Sequence, residues 1–474
     1  MNVKRVLASV VVFAAGSLIC AGSASAQWSG SIVVTNAVEP SSGGQNVGGV
    51  TAARCGSNVV VGFGDFESGN NQSFAGYATS SNGGATFRDL GVLPISPADS
   101  GRGQDQLGDG APQRPTVDHD LSLACANSSL FYYAAPLLEA NDPQICTSEG
   151  ICSSISVSIS RNGGHTWDLP ITIARENIDN HQLSFPSIGV DPATPKRLYV
   201  AYLDENGAPW DFSFPDCQGN TITELRLASS ADGGKTWTSN AVDHVCDLSS
   251  NPETQGALGG PSLVVSPGGK VYLTYEFQSF GSDAIPAGPN QIRFMRSVDQ
   301  GQTFSPSLIV SKTAIDNALP HVAVDRTNTT SRGRIYLTWA GSQSGTYTDI
   351  LISDSTSFGT SFSFPRPLNP PPAAGSGRFQ TESVLSVDND GQVAACYYET
   401  PTNSPTTSSV YSYNCKLSFN HAATWQPQHV LSSVPVGFAA LTSDFLLGGD
   451  GFFTAFELDH AGARWVVGRK ADAN

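Results

Sequence analysis

Charge is scarce in this 474-residue chain: 14% of its residues are Asp, Glu, Lys or Arg, against about 25% in an average soluble protein. Basic residues are scarcer still, with 25 Lys+Arg against 41 Asp+Glu and a formal net charge of −16. A surface this acidic repels phosphate backbones and anionic lipid, which excludes nucleic-acid binding. There are 2 Met, and no segment sustains a helical apolar period, so coiled coils and long bundles are excluded as well. The chain has no CxxC pair and no HxxxH or HExxH spacing, so no zinc or other metal site is expected. It also lacks a phosphate loop, a serine-hydrolase elbow and a dinucleotide fingerprint, and no cofactor is expected. Past residue 26 no apolar run approaches the ~18 residues of a membrane-spanning helix. What is abundant is punctuation, 48 Gly and 29 Pro.

The first 26 residues read as a leader. Lys4 and Arg5 form a basic start, an apolar run follows from Val6 to Gly22, and Ala24, Ser25 and Ala26 give the small-x-small cleavage pattern. The expected mature chain therefore begins at Gln27, is secreted or periplasmic, and carries one domain over 27–474. A monomer with no integral membrane segment is expected. Of the 9 Cys, removal of Cys20 leaves an even number in an oxidising compartment, where disulfides are the default. Cys146–Cys152 and the hairpin pair Cys396–Cys415 are the easiest closures. Cys55, Cys125, Cys217 and Cys246 remain, and Cys55–Cys125 with Cys217–Cys246 is one assignment among the connectivities that sequence leaves open.

An octapeptide recurs along the chain. Ser-Ser-Asn-Gly-Gly-Ala-Thr-Phe at 80–87, Ser-Arg-Asn-Gly-Gly-His-Thr-Trp at 160–167 and Ser-Ala-Asp-Gly-Gly-Lys-Thr-Trp at 230–237 are the clearest copies. Others follow at 297–304, 355–362 and 418–425, on the template Ser-x-Asp/Asn-x-Gly-x-Thr-Trp/Phe. The physics of the box is a turn: Asp or Asn bonds backbone two residues on, Gly supplies positive φ, and the aromatic residue anchors the turn in the core. Between boxes lie short apolar, β-branched runs such as 186–191, 197–202, 320–325 and 334–339, which read as strands. Four antiparallel strands per repeat make one blade of a β-propeller.

In these boxes the chain resembles the sialidase superfamily, also called the bacterial neuraminidase repeat or Asp-box superfamily, over essentially 30–470. The resemblance implies an all-β propeller of four-stranded antiparallel blades. A mean box spacing of about 68 residues fits six to seven repeats. Seven blades, closed by pairing of N- and C-terminal strands, is the favoured expectation, and six is the alternative. The functional face is then built by the loops opposite the boxes, where long insertions fall at 96–113, 137–152, 203–220, 247–260, 278–290 and 369–381.

The resemblance further implies a glycan partner, with three Arg holding an anionic sugar, a Tyr–Glu nucleophile pair and an Asp acid/base. The first innermost strand, 47–54, ends on Arg54 and lacks the family's Phe/Tyr-Arg-Ile-Pro motif; Arg54 falls at the box end. Arg114, Arg378 and Arg102 are the expected substrate-binding cations, with Arg175 on the same face. Acidic residues recur where second strands reach that face, at Asp65, Asp204, Glu276, Glu399 and Glu457. Of these, Glu276, Glu399 and Asp204, with Tyr398, are the catalytic candidates, since paired carboxylates serve glycoside cleavage. The segment 388–391, Asp-Asn-Asp-Gly, faintly resembles a structural calcium loop, but an Asp-Gly turn explains it. Two functions follow, a secreted sialidase-like glycoside hydrolase and a non-catalytic propeller that binds glycan or protein, with a polysaccharide lyase third. Thiol titration of the unfolded, unreduced mature protein should find no free thiol; two or more would refute full pairing.

Overall fold

In the computed structural model the described residues are 28–33, 50–67, 72–94, 116–117, 121–140, 151–178, 180–206, 217, 222–247, 254–281, 286–327, 331–406, 408–432, 436–437, 443–446, 453–457 and 465–470. All regular structure among them is strand, and every ladder between strands is antiparallel. Six four-stranded blades form a propeller ring, each made of strands consecutive in the chain, where seven were favoured. Their innermost strands are Val50–Cys55, Ser122–Cys125, His181–Val190, Gly256–Ser266, His321–Val324 and Phe379–Val387, which number blades 1 to 6. Blades 2 and 6 each carry one extra short strand, Thr116–Val117 and Val436–Gly437. Four further strands form a separate antiparallel sheet in the order Trp28–Val33, Trp465–Lys470, Phe453–Glu457 and Ser443–Leu446.

The apolar core is divided into seams between neighbouring blades. Val60, Phe63 and Tyr77 of blade 1 pack with Tyr133 and Trp167 of blade 2, and Tyr199 and Leu227 of blade 3 pack with Leu263 and Met295 of blade 4. Blades are covered on both faces, so their strands are near-continuous runs of buried residues, as in Leu198–Asn206.

The boxes work as the octapeptide chemistry predicts. In the third, Ser230 Oγ donates to Asp232 Oδ1 at 2.9 Å and accepts from Gly234 N, while Asp232 accepts from the Thr236 amide and hydroxyl. Two successive residues take positive φ in every copy, from Gly233 and Gly234 at 83° and 87° to His421 and Ala422 at 59° and 63°. The second of them meets the preceding blade. A Cβ on Gly164 would lie 2.3 Å from Val60 Cγ2, and one on Gly359 would lie 2.4 Å from the Phe294 ring. The box aromatics reach the same way, with Trp167 edge-on to Tyr77 at 5.9 Å and Phe362 edge-on to Phe294 at 4.8 Å.

A second stitch runs round the axis. Thr51 Oγ1 accepts the Leu123 N–H at 2.8 Å, Ser122 Oγ that of Ile188 at 3.1 Å, Ser187 Oγ that of Leu263 at 3.0 Å, and Ser262 Oγ that of Val322 at 3.2 Å. The innermost strands of blades 1 to 4 thus each hand one hydroxyl to the next.

Three of the expected disulfides are formed, Cys55–Cys125, Cys217–Cys246 and Cys396–Cys415. Cys152 is disulfide-bonded as well, and its expected partner Cys146 lies outside the described residues. The segment 388–391 is a hairpin turn: Asp388 Oδ1 accepts the amides of Asp390 and Gln392. Thr51→Val keeps the volume but strands the buried Leu123 N–H. It should cost about 1–3 kcal/mol in denaturant unfolding, and a loss under about 0.5 kcal/mol would show that the stitch carries no stability.

Candidate functional site

Asp204 ends the second strand of blade 3 at the face opposite the boxes. Antiparallel register sets it across from Glu224 and sets Tyr202 across from Arg226. Alternation then turns Asp204, Glu224 and Arg226 to one side of the sheet. Arg226 Nη1 contacts Glu224 and lies 3.7 Å from Asp204 Oδ2, while His181 Nδ1 is 2.9 Å from Asp204 Oδ1. Glu176, at the end of the outermost strand of blade 2, feels the charges of His181, Asp204 and Arg226. Partial burial raises the Glu176 carboxyl above its usual range, and the hydrogen bond to Asp204 raises the His181 imidazole. Asp204 itself is buried, and Glu176, His181 and Arg226 are partly exposed. The seam of blades 2 and 3 therefore gathers three carboxylates, an imidazole and a guanidinium.

Glu276 behaves differently. It is fully buried in blade 4, and its Oε2 accepts the Ala318 N–H at 2.8 Å while Oε1 accepts from Gln278 at 3.2 Å. It thereby pins the segment before the innermost strand of blade 5. Desolvation outweighs these donors and pushes its carboxyl up to about 7. Tyr275, its neighbour, points to the other face and bonds Asp243 and Ser307.

Glu399 and Arg378 belong to a polar network between blades 5 and 6. Gln380 Nε2 donates to Glu399, and Gln428 Nε2 lies 3.4 Å from its other oxygen. Tyr397 donates to Gln428 Oε1 at 2.9 Å. Arg378 pairs with Asp349 and donates to the Pro370 carbonyl at 2.7 Å. Lys416 Nζ donates to the Leu368 carbonyl and to Asn369 Oδ1, both at 2.9 Å.

Asp204, Glu276 and Glu399 thus occupy three separate settings, and none of them lines a described cavity. Tyr398 lies on the face opposite Glu399, its ring 4.7 Å from that of Tyr413 beside Cys396 and Cys415. It is Tyr397, two residues from Glu399, that shares the carboxylate's network. Arg175 lies on the outermost strand of blade 2, opposite Ser154. Arg54 sits at the box end as expected, donating to the Gly56 carbonyl. Arg102 and Arg114 lie outside the described residues, as do the side chains of Asp65 and Glu457. The sequence reading missed Glu176, His181, Glu224 and Arg226. Glu224 and Arg226 alternate in the strand Ile222–Ser230, a signal that was legible; the approach of Glu176 and His181 depends on how blades 2 and 3 pack. Among the described residues no group of three or more His, Cys, Asp or Glu side chains is arranged to hold a metal ion.

No family model matches the chain. A sialidase of Bacteroides fragilis (strain YCH46) is 25% identical over 313 residues, covering 62% of this chain and 52% of its own length. The chain thus spans about half the length of that curated relative. Among solved structures, the Hadza microbial sialidase Hz136 is 14% identical, covers 84% of this chain and 73% of its own, and has a TM-score of 0.46. The GH93 α-L-arabinofuranosidase of Fusarium graminearum is 12% identical with 82% and 97% covered and a TM-score of 0.48. A PL25 ulvan lyase is 9% identical with 93% and 95% covered and a TM-score of 0.49. The similarity is to sialidase-like β-propellers, the superfamily that the boxes resemble.

The Glu276 carboxyl binds its proton more tightly in the folded state than at its ordinary value of 4.5. That contribution to stability is full below about pH 4.5 and is lost as pH rises through about 7. Glu276→Gln, which mimics the protonated form, should therefore flatten the fall in unfolding free energy between pH 5 and 8, by an amount on the order of 3 kcal/mol. Parallel stability–pH curves for parent and variant would show that Glu276 titrates normally.

Proposed function

We propose that the chain is a secreted, sialidase-like glycan hydrolase working from the seam of blades 2 and 3. The observation that carries this reading is the convergence of Glu176, Asp204 and Glu224 on Arg226 and His181. Glycoside cleavage uses two carboxyl groups with separated roles, one kept protonated by its surroundings and one kept ionised. Glu176, raised by burial, takes the role of acid, and Asp204, steadied by His181 and Arg226, that of base or nucleophile. The likeness to the Bacteroides fragilis sialidase supports a sialoside or related acidic glycan as substrate. Arg102 and Arg114 are the proposed contacts to its charge. Glu399 and Tyr398, on opposite faces of one strand, remain secondary candidates, while Glu276 and Arg378 play supporting roles.

The sheet that joins residues 28–33 to 465–470 stands apart from the six blades as a separate antiparallel sheet. Its strand Ser443–Leu446 lies against the innermost strands of both blade 1 and blade 6. The disulfides fit an oxidising compartment, and no helix among the described residues is long and apolar enough to cross a membrane. Cleavage of the leader after Ala26 completes the proposal.

A second reading, a propeller that binds glycan without cleaving it, is favoured by one observation. The Arg378 guanidinium is engaged by Asp349 and a carbonyl, so it is not open to a ligand. Turnover on a chromogenic glycoside panel that includes a sialoside separates the two. Glu176→Gln and Asp204→Asn should each lower it ~10²-fold or more with the thermal melt unchanged. Full activity in both variants would refute the site, and a parent that cleaves nothing would leave the binding reading in its place.

A further inference from the structure

The hydroxyl stitch round the axis breaks at blade 5. Ser122, Ser187 and Ser262 each precede the residue whose N–H is bonded to the blade before, and blade 5 has His321 at that position. Among the described residues no such hydroxyl bond runs from His321 to blade 6: His321 Nδ1 is buried without a partner, and so is Ser383 Oγ on the innermost strand of blade 6. The imidazole instead lines a cavity of about 540 Å³ enclosed by the box-side halves of the innermost strands of blades 1 to 5. Arg54 and Arg326 line the same cavity, and the described lining includes no Asp or Glu.

Arg326 is an unusual group in so acidic a chain. Its Nη2 donates to the Val265 carbonyl at 2.6 Å, but its Nε is buried without a partner, and it forms no ion pair among the described residues. The carboxylate whose field reaches it, Asp191, is already held by Arg197 at 3.2 Å and by the amides of Ala193 and Gly268. Burial, only partly offset by Asp191, lowers the Arg326 guanidinium to about 10, and burial alone lowers the His321 imidazole to about 4. At neutral pH the cavity therefore holds two cations, a neutral imidazole and unused N–H donors. A desolvated guanidinium of this kind is completed by an oxyanion, which accepts parallel N–H bonds. The volume is that of a small-molecule site.

We propose that the axial cavity at the box end binds a small oxyanion through Arg326, with Arg54 adding charge and His321 a neutral contact further in. This site is separate from the seam of blades 2 and 3 and does not depend on that seam being catalytic. The chemistry fits inorganic phosphate and the carboxylate of a sugar acid alike, and titration calorimetry of the mature protein at constant ionic strength and pH 7.5 tells them apart. Inorganic phosphate, glucuronate and glucose are the probes. At least one of the two anions should bind while glucose does not. Tighter phosphate binding identifies an inorganic-ion site, and tighter glucuronate binding a sugar-acid site. Arg326→Gln should weaken the anion at least tenfold, and Asp204→Asn should leave it unchanged. If Arg326→Gln fails to fold, Arg326→Lys, which keeps the charge and loses the planar fork, should still weaken binding at least threefold. Absence of anion binding, unchanged affinity in the Arg326 variants, or loss in Asp204→Asn would overturn the proposal.

Discussion

One bond type organises this molecule: a Ser or Thr hydroxyl on an innermost strand accepting an N–H from the strand that follows it round the axis. An innermost strand has a ladder partner on one side only, so its other edge carries unpaired amides that cannot face water at the centre of a ring. A hydroxyl satisfies such an amide without the width of a longer side chain, which lets the strands approach the axis closely. Gly189, whose Cβ would meet the Leu263 side chain at 2.3 Å, shows how little space remains.

The boxes solve the complementary problem at the periphery. A turn between two outer strands has to dock on the previous blade, and two successive left-handed residues aim its backbone there. Non-glycine residues in that conformation cost roughly 1–2 kcal/mol each. Box six, with His421 and Ala422 at these positions, bears this cost twice, whereas boxes one to three avoid it with paired Gly. Ser418 Oγ, accepting the Ala422 amide, and Asn420 Oδ1, accepting the Thr424 amide, offset the strain and hold the degenerate copy in shape.

The contrast between box and site explains what could be read from the chain alone. A box is closed by bonds within eight residues, so its fold signature is local and survives even as Ser-Thr-Ser-Phe-Gly-Thr-Ser-Phe at 355–362. The pairings Cys55–Cys125 and Cys217–Cys246 were similarly accessible, because each joins neighbouring cysteines in the chain. The site is set by register and by blade packing. Tyr398 adjoins Glu399 in sequence, yet a strand turns neighbours to opposite faces, and Tyr397 is the residue in reach of its network. His181 meets Asp204 only because bulged pairing brings the start of one strand beside the end of the next. Strand ends named Asp204 from sequence, but nothing local named Glu176, which arrives from another blade.

The axial stitch also has a direction. Every hydroxyl acceptor lies on the earlier blade and every amide donor on the later one, from Thr51 and Leu123 through Ser262 and Val322. A chain emerging N-terminus first therefore always presents the acceptor before the donor that needs it. From blade 1 to blade 5, each new blade therefore meets an acceptor that is already in place. Along blades 1 to 5 the stitch and the chain run in the same sense.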